Sequence, residues 1–140
     1  MNAEYFMDTN VFIYAFSAHE AEKRTRAASL IRSALLDSSG AISSQVVQEF
    51  VNIAIHKPSA AVPPAMLVDY MDHVLQPLCQ VFPSTSLYKK AIHLHRETQY
   101  RFYDCLIVAA ALESGAKILY SEDLQHGRVF GNLTIVNPFL

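Results

Sequence analysis

Short apolar runs alternate along this chain with longer segments whose apolar residues recur at helical spacing, which predicts strands and helices in turn. Tyr5-Phe6-Met7 is apolar and stops at Asp8-Thr9-Asn10, residues that favour helix caps, with residues 11–16 following. That reads as strand, turn, helix. Ala27, Leu30, Ile31, Ala34 and Leu35 then share one helical face, and Gly40 follows a polar loop. Ala41-Ile42-Ser43 predicts a second strand, with Ser43 or Ser44 able to cap a helix running to about His56. Residues 60–64 hold two prolines and read as a loop between helices.

A helix fits residues 64–75, with Met66, Leu67, Tyr70, Met71 and Val74 on one face. Residues 80–82 predict the third strand, after which Ser84 or Thr85 caps a helix carrying Leu87, Ala91 and Leu94. Residues 104–114 form a helix apolar almost all round, and Gly115 is placed to close it in the left-handed conformation. Residues 117–120 predict the fourth strand and residues 133–136 the fifth. The expected fold is α/β, a single domain over residues 1–140. Its five-stranded sheet is mainly parallel, with right-handed crossovers and helices on both faces.

In such a sheet the carboxyl ends of the strands carry the ligand site. Asp8 ends the first strand, and Asp123 lies just beyond the fourth. Asp104 begins the helix that leads into the fourth strand, and Glu49 lies about one turn into the helix after the second, so both sit at the same edge. Taken singly, each acid has a plainer role: Asp8 and Asp104 as N-caps, Glu49 as a surface glutamate, Glu122-Asp123 as a turn. Jointly they bring four like charges together, and such a group must share protons or hold a divalent cation. Mg²⁺ or Mn²⁺ suits oxygen donors and leaves positions for phosphate oxygens, which points to phosphate-ester chemistry.

The bulk properties leave that reading intact. The chain has 140 residues, is 51% hydrophobic and 17% charged, and its formal net charge is −2; these describe a globular protein without an overall basic field. Its positive residues fall in two clusters, Lys23, Arg24, Arg26 and Arg32, then Lys89, Lys90, Arg96 and Arg101. Each could be a solvated helix face, or the two could flank the acidic site and track a nucleic-acid backbone. Cys79 and Cys105 match no zinc or redox spacing and read as buried thiols. The N-terminus has no basic stretch ahead of an apolar run and does not read as a signal peptide, and the longest apolar run, residues 105–112, is too short to span a bilayer. A cytoplasmic protein without a membrane anchor is expected. His93 and His95 would point to different sides of a helix, and no Gly-rich phosphate loop occurs.

The set Met7-Asp8-Thr9-Asn10-Val11, Ser44 to Glu49, Asp104-Cys105-Leu106-Ile107-Val108-Ala109-Ala110-Ala111, Gly115 and Ser121-Glu122-Asp123 resembles the PIN-domain ribonucleases. It is most similar to the single-domain VapC toxins of VapBC toxin–antitoxin pairs, over almost the whole chain. The resemblance implies a metal-dependent endoribonuclease that hydrolyses RNA phosphodiester bonds with an ion-activated water. It implies Asp8, Glu49, Asp104 and Asp123 as catalytic residues binding Mg²⁺ or Mn²⁺, supported by Thr9, Asn10 and Ser121. It also implies a homodimer and a neutralising antitoxin partner. The family's last motif is usually Thr-x-Asp; Ser121 keeps the hydroxyl here, and Glu122 stands beside Asp123, which fills the family's position.

Two other readings compete. A receiver-type phosphoacceptor module is also a parallel α/β fold, but Asp8 lacks an acidic neighbour and Lys117 starts its strand instead of following it. A PIN fold that binds RNA or a partner without cutting would not need all four acids.

Overall fold

In the computed structural model, which describes residues 3–57 and 62–140, strand β1 (Tyr5–Met7) is an inner strand of one six-stranded sheet. It pairs in parallel with β2 (Gly40–Ser43) on one side and with β4 (Ile118–Tyr120) on the other. β3 (Cys79–Val81) continues the sheet beyond β2, and β6 (Leu133–Val136) continues it beyond β4, both in parallel. β5 (Val129–Phe130) closes the edge antiparallel to β6, giving the order β3-β2-β1-β4-β6-β5. Every residue of β1 and β2 is buried, as expected of parallel strands covered on both faces.

The helices form where their sequence gives them one face to bury. α1 (Thr9–Ala15), α2 (Ala21–Asp37) and α3 (Ser44–His56) make one group, with α1 packed on both of the others and α2 on β2. α3 starts at the Ser43 side-chain cap and buries Val46, Phe50 and Ala54, each one turn after the last. α6 (Thr85–Thr98) and α7 (Phe102–Glu113) make the second group, and α7 lies against β2 and β4. α6 is amphipathic and buries Leu87, Ala91 and Leu94, whereas α7 buries all of residues 105–111 because it is enclosed. The first group belongs to crossovers leading from β1 to β2 and β3, the second to the crossover returning to β4. Right-handed crossovers in opposite directions put the two groups on opposite faces.

Several expectations change in detail. The sheet has six strands, not five, because β5 adds a two-residue edge strand turned back at Gly131, whose φ is +60°. β3 begins one residue earlier than expected, at Cys79, and leaves Phe82 exposed beyond its end. α4 (Pro64–Tyr70) does not run straight to residue 75. It passes through a π-helical turn, Met71–Leu75, into the short α5 (Gln76–Leu78). Of its expected apolar face Leu67 is buried, but Met66 is exposed. Leu35 is also exposed, since α2 turns only Ala27, Leu30, Ile31 and Ala34 inward. α7 starts at Phe102 with Arg101 in the N-cap position, so Asp104 lies in its first turn and is not a cap. Gly115 does take the left-handed conformation after it, with φ +79°. Cys105 is buried, Cys79 only partly. Of the loop expected at residues 60–64, positions 60 and 61 lie outside the described residues, and α4 begins at Pro64. Among the described residues no helix is long and apolar enough to cross a membrane.

Gly40 is the point of closest approach between α2 and the sheet. A Cβ there would stand 2.5 Å from the Ala34 Cβ and 2.8 Å from the Tyr5 ring. Gly40→Ala is therefore expected to destabilise the protein by about 1–3 kcal/mol in urea unfolding, the usual cost of overpacking. An unchanged midpoint would contradict this close packing.

Candidate functional site

From β1 the chain builds outward to β2 and β3, and then β4 is laid on the other side of β1. Segments leaving the carboxyl ends of β1 and β4 diverge there and open a crevice. Asp8 follows β1 and Ser121 follows β4, and the Ser121 hydroxyl donates to Asp8 Oδ2 at 2.8 Å. The other Asp8 oxygen accepts from the Thr9 backbone N–H at 2.7 Å, capping α1. The capping role and the crevice role thus fall on the same carboxylate.

α1 then supplies two side chains that reach further acids. Thr9 Oγ1 donates to Glu49 Oε1 at 2.6 Å, and Asn10 Nδ2 donates to Asp123 Oδ2 at 2.7 Å. Glu49 projects from the second turn of α3, where Gln45, one turn before it, donates to Oε2 at 3.4 Å and to the Tyr103 carbonyl at 3.0 Å. Asp104 comes from the first turn of α7. Asp8, Glu49, Asp104 and Asp123 all line one cavity of about 350 Å³, together with Thr9, Asn10, Gln45, Asn52, Ile53 and Ile107.

The electrostatics of this cavity are one-sided. The two ion pairs among the described residues both belong to Lys23 and touch none of these four carboxylates. The polar contacts of Asp8, Glu49 and Asp123 come instead from neutral amides and hydroxyls. Burial pushes the Asp8 carboxyl up to about 6 from 3.8; hydrogen bonds from Ser121 and Thr9 oppose it, while the charges of Glu49 and Asp123 add to it. Burial likewise raises Asp104, with Arg101 opposing and Asp123 and Glu49 reinforcing.

Among the described residues no three His, Cys, Asp or Glu side chains form a ready-made cage for direct metal contact. The donor set nevertheless fits a hard, hydrated ion such as Mg²⁺, which is commonly held by one or two carboxylates and keeps several waters. The cavity offers acidic oxygens and has room for such waters, and among the described residues no cation is in contact with those acids.

Glu122 turns away from this cavity. Its oxygens accept from Tyr14 Oη at 2.6 Å and Lys23 Nζ at 2.7 Å, while its neighbour Asp123 lines the cavity. Three of the four residues of the first basic cluster are correspondingly engaged within the protein, while Arg32 is exposed. Lys23 pairs with Glu122, Arg24 donates to the Ser17 carbonyl, and Arg26 donates to the Pro138 carbonyl beside the Tyr120 ring. Lys89, Lys90, Arg96 and Arg101 are exposed, and among the described residues none is in an ion pair. Sequence reasoning missed Gln45 and Asn52. Their spacing of four and three residues from Glu49 on one helix was the available signal.

The PIN domain family matches residues 5–131. Comparison with curated proteins gives no match. Among solved structures, the chain is similar to the sarcin–ricin-loop-cleaving toxin VapC20 of Mycobacterium tuberculosis. The two are 20% identical over 85% of this chain and 89% of that one, with a TM-score of 0.62. A toxin–antitoxin complex from Klebsiella pneumoniae is 17% identical over 96% and 97% of the two chains, with a TM-score of 0.63. VapBC2 from Rickettsia felis, bound to a DNA fragment from its promoter, is 17% identical over 94% and 96%, with a TM-score of 0.64. At these identities the solved structures establish a shared fold.

The raised Asp8 carboxyl makes a stability prediction with a definite sign. Its folded pKa lies above its unfolded value, so its contribution to stability is full below about pH 4 and is lost as pH rises through about 6. Asp8→Asn removes that loss: in metal-free buffer at pH 7.5 the variant should be more stable than the wild type by on the order of 1–3 kcal/mol. At pH 4 the advantage should disappear. Destabilisation of equal size at both pH values would contradict the assignment.

Proposed function

The chain belongs to the PIN domain family, and on that premise we propose that it is a metal-dependent endoribonuclease and the toxin of a toxin–antitoxin pair. Asp8, Glu49, Asp104 and Asp123 are the residues that would hold Mg²⁺ or Mn²⁺. The observation that carries this reading is the cavity itself: four carboxylates from separate elements, with only neutral donors in contact with them among the described residues. The sheet order argues against the receiver-type alternative, in which the first strand lies between the second and the third.

The ion, when bound, would polarise the scissile phosphate, make water more acidic and offset charge on the leaving oxygen. The chain's own residues set the stage for that chemistry. Ser121, Thr9 and Asn10 fix the orientation of Asp8, Glu49 and Asp123 through single hydrogen bonds. Asp104 accepts no hydrogen bond among the described residues, so its oxygens would be free either to join in holding the ion or to take a proton from the attacking water. Arg101, next to Asp104 in the charge balance, and Lys89, Lys90 and Arg96 on α6 would meet the RNA backbone.

Partners follow from the exposed apolar surface. A groove of about 800 Å³ between α3 and α4 has exposed Ile55 and Val68 on its walls, with half-buried Val51 and Met71 and buried Leu67 behind them, and suits the apolar face of an antitoxin helix. Exposed Phe82, Tyr88, Phe102 and Tyr103 ring a second groove and suit a homodimer contact. The similarity to toxin–antitoxin complexes supports the antitoxin. The free thiols Cys79 and Cys105 suit a reducing, cytoplasmic setting. Light scattering on the purified protein should give the mass of a dimer; a monomer at all concentrations would contradict the homodimer.

With structured RNA and Mg²⁺ or Mn²⁺, the wild type should cleave, and Asp8→Asn/Asp104→Asn should lose roughly 100-fold or more of the rate. The rate should fall at acid pH, because ligand carboxylates must be ionised to hold the ion. Equal cleavage by the variant would point to a contaminating nuclease. RNA binding that survives chelation without products would favour the non-cleaving alternative.

A further inference from the structure

Three successive residues after β4 face three different partners. Ser121 turns inward to Asp8, Asp123 reaches Asn10, and Glu122 between them turns outward to Tyr14 and Lys23. Asn10 and Tyr14 are one turn apart on α1, so a single helix face grips both acids of the turn. Lys23, from the first turn of α2, closes the outer half of that grip. Its ammonium lies 2.7 Å from Glu122 Oε2 and 3.2 Å from Tyr14 Oη. It also stands 4.5 Å from the centre of the Tyr14 ring and 5.6 Å from that of Phe139, and those two rings meet edge to face at 4.8 Å.

An exposed ion pair alone adds little to stability, about 0–1 kcal/mol, and would serve only as surface decoration. This one differs in its geometry. Two carboxylates, one hydroxyl and two aromatic rings surround a single ammonium: Glu20 lies at 3.6 Å, and Glu122, at 2.7 Å, is the residue next to Asp123. Networks of this kind fix orientation more than they add stability.

We infer that Lys23 is a positioning residue: by holding Glu122 against Tyr14 it keeps that carboxylate out of the acidic cavity and fixes the turn from which Asp123 enters. The inference rests on the proposed metal site, and it assigns Lys23 a task inside the protein in place of contact with RNA. Outer-shell partners of this sort affect metal binding without touching the ion.

The test is calorimetric titration of the whole protein with Mn²⁺ alone, without RNA. Removing a positive charge near an acidic cavity would by itself tighten cation binding, so weakening reports lost positioning. Lys23→Met should bind Mn²⁺ about 10-fold more weakly than the wild type. Tyr14→Phe, which changes no charge, should weaken binding in the same direction and serves as the deciding variant if Lys23→Met fails to fold. Binding equal to or tighter than wild type in the folded variants would overturn the inference and leave the proposed function standing. A wild type that binds no Mn²⁺ in the cavity would overturn both.

Discussion

Burying a carboxylate beside other carboxylates costs free energy, and among the described residues no cation in contact with Asp8 offsets that cost. The fold tolerates it because Asp8 caps α1 and accepts from Ser121, two hydrogen bonds that partly compensate its desolvation. The same two bonds tie the ends of β1 and β4 together at the switch of the sheet. A destabilised group is thus kept at the one place where the topology opens a crevice.

The surrounding structure serves that placement. α1 is only two turns long, yet Asp8, Thr9, Asn10 and Tyr14 give it four contacts to acids or to donors that orient acids. α7 is buried through most of its length and starts at the cavity, so Asp104 is carried in on a rigid element. Glu49 lies on α3, whose buried Val46 and Phe50 set its rotation. Precision at the site comes from packed helices, while the acids themselves contribute repulsion.

Much of this is legible in the sequence, because strand–helix alternation with an acid after each relevant strand leaves few topologies. The alternating pattern locates Asp8, Glu49, Asp104 and Asp123 at one sheet edge, and in the structure all four line one cavity. What escapes is what pattern does not encode. β5 is two residues long and offers no periodicity. The π-helical turn after α4 rotates the expected apolar face without any glycine or proline within it to mark the change. The basic run at Lys23, Arg24 and Arg26 reads as a free charged face, yet its partners lie in part at Glu122 and Pro138, far along the chain. Long-range pairing of charges is set by tertiary structure, and local sequence carries no trace of it.

The central claim is that these acids exist to hold a divalent ion at the carboxyl edge of β1 and β4. Crystals soaked in Mn²⁺ and measured at the manganese absorption edge test it without recourse to RNA or to activity. The account predicts an anomalous peak within the cavity, coordinated by at least one of Asp8, Glu49, Asp104 and Asp123 directly and by others directly or through one water. Manganese found only elsewhere on the molecule, with this cavity clear at saturating concentration, would contradict it.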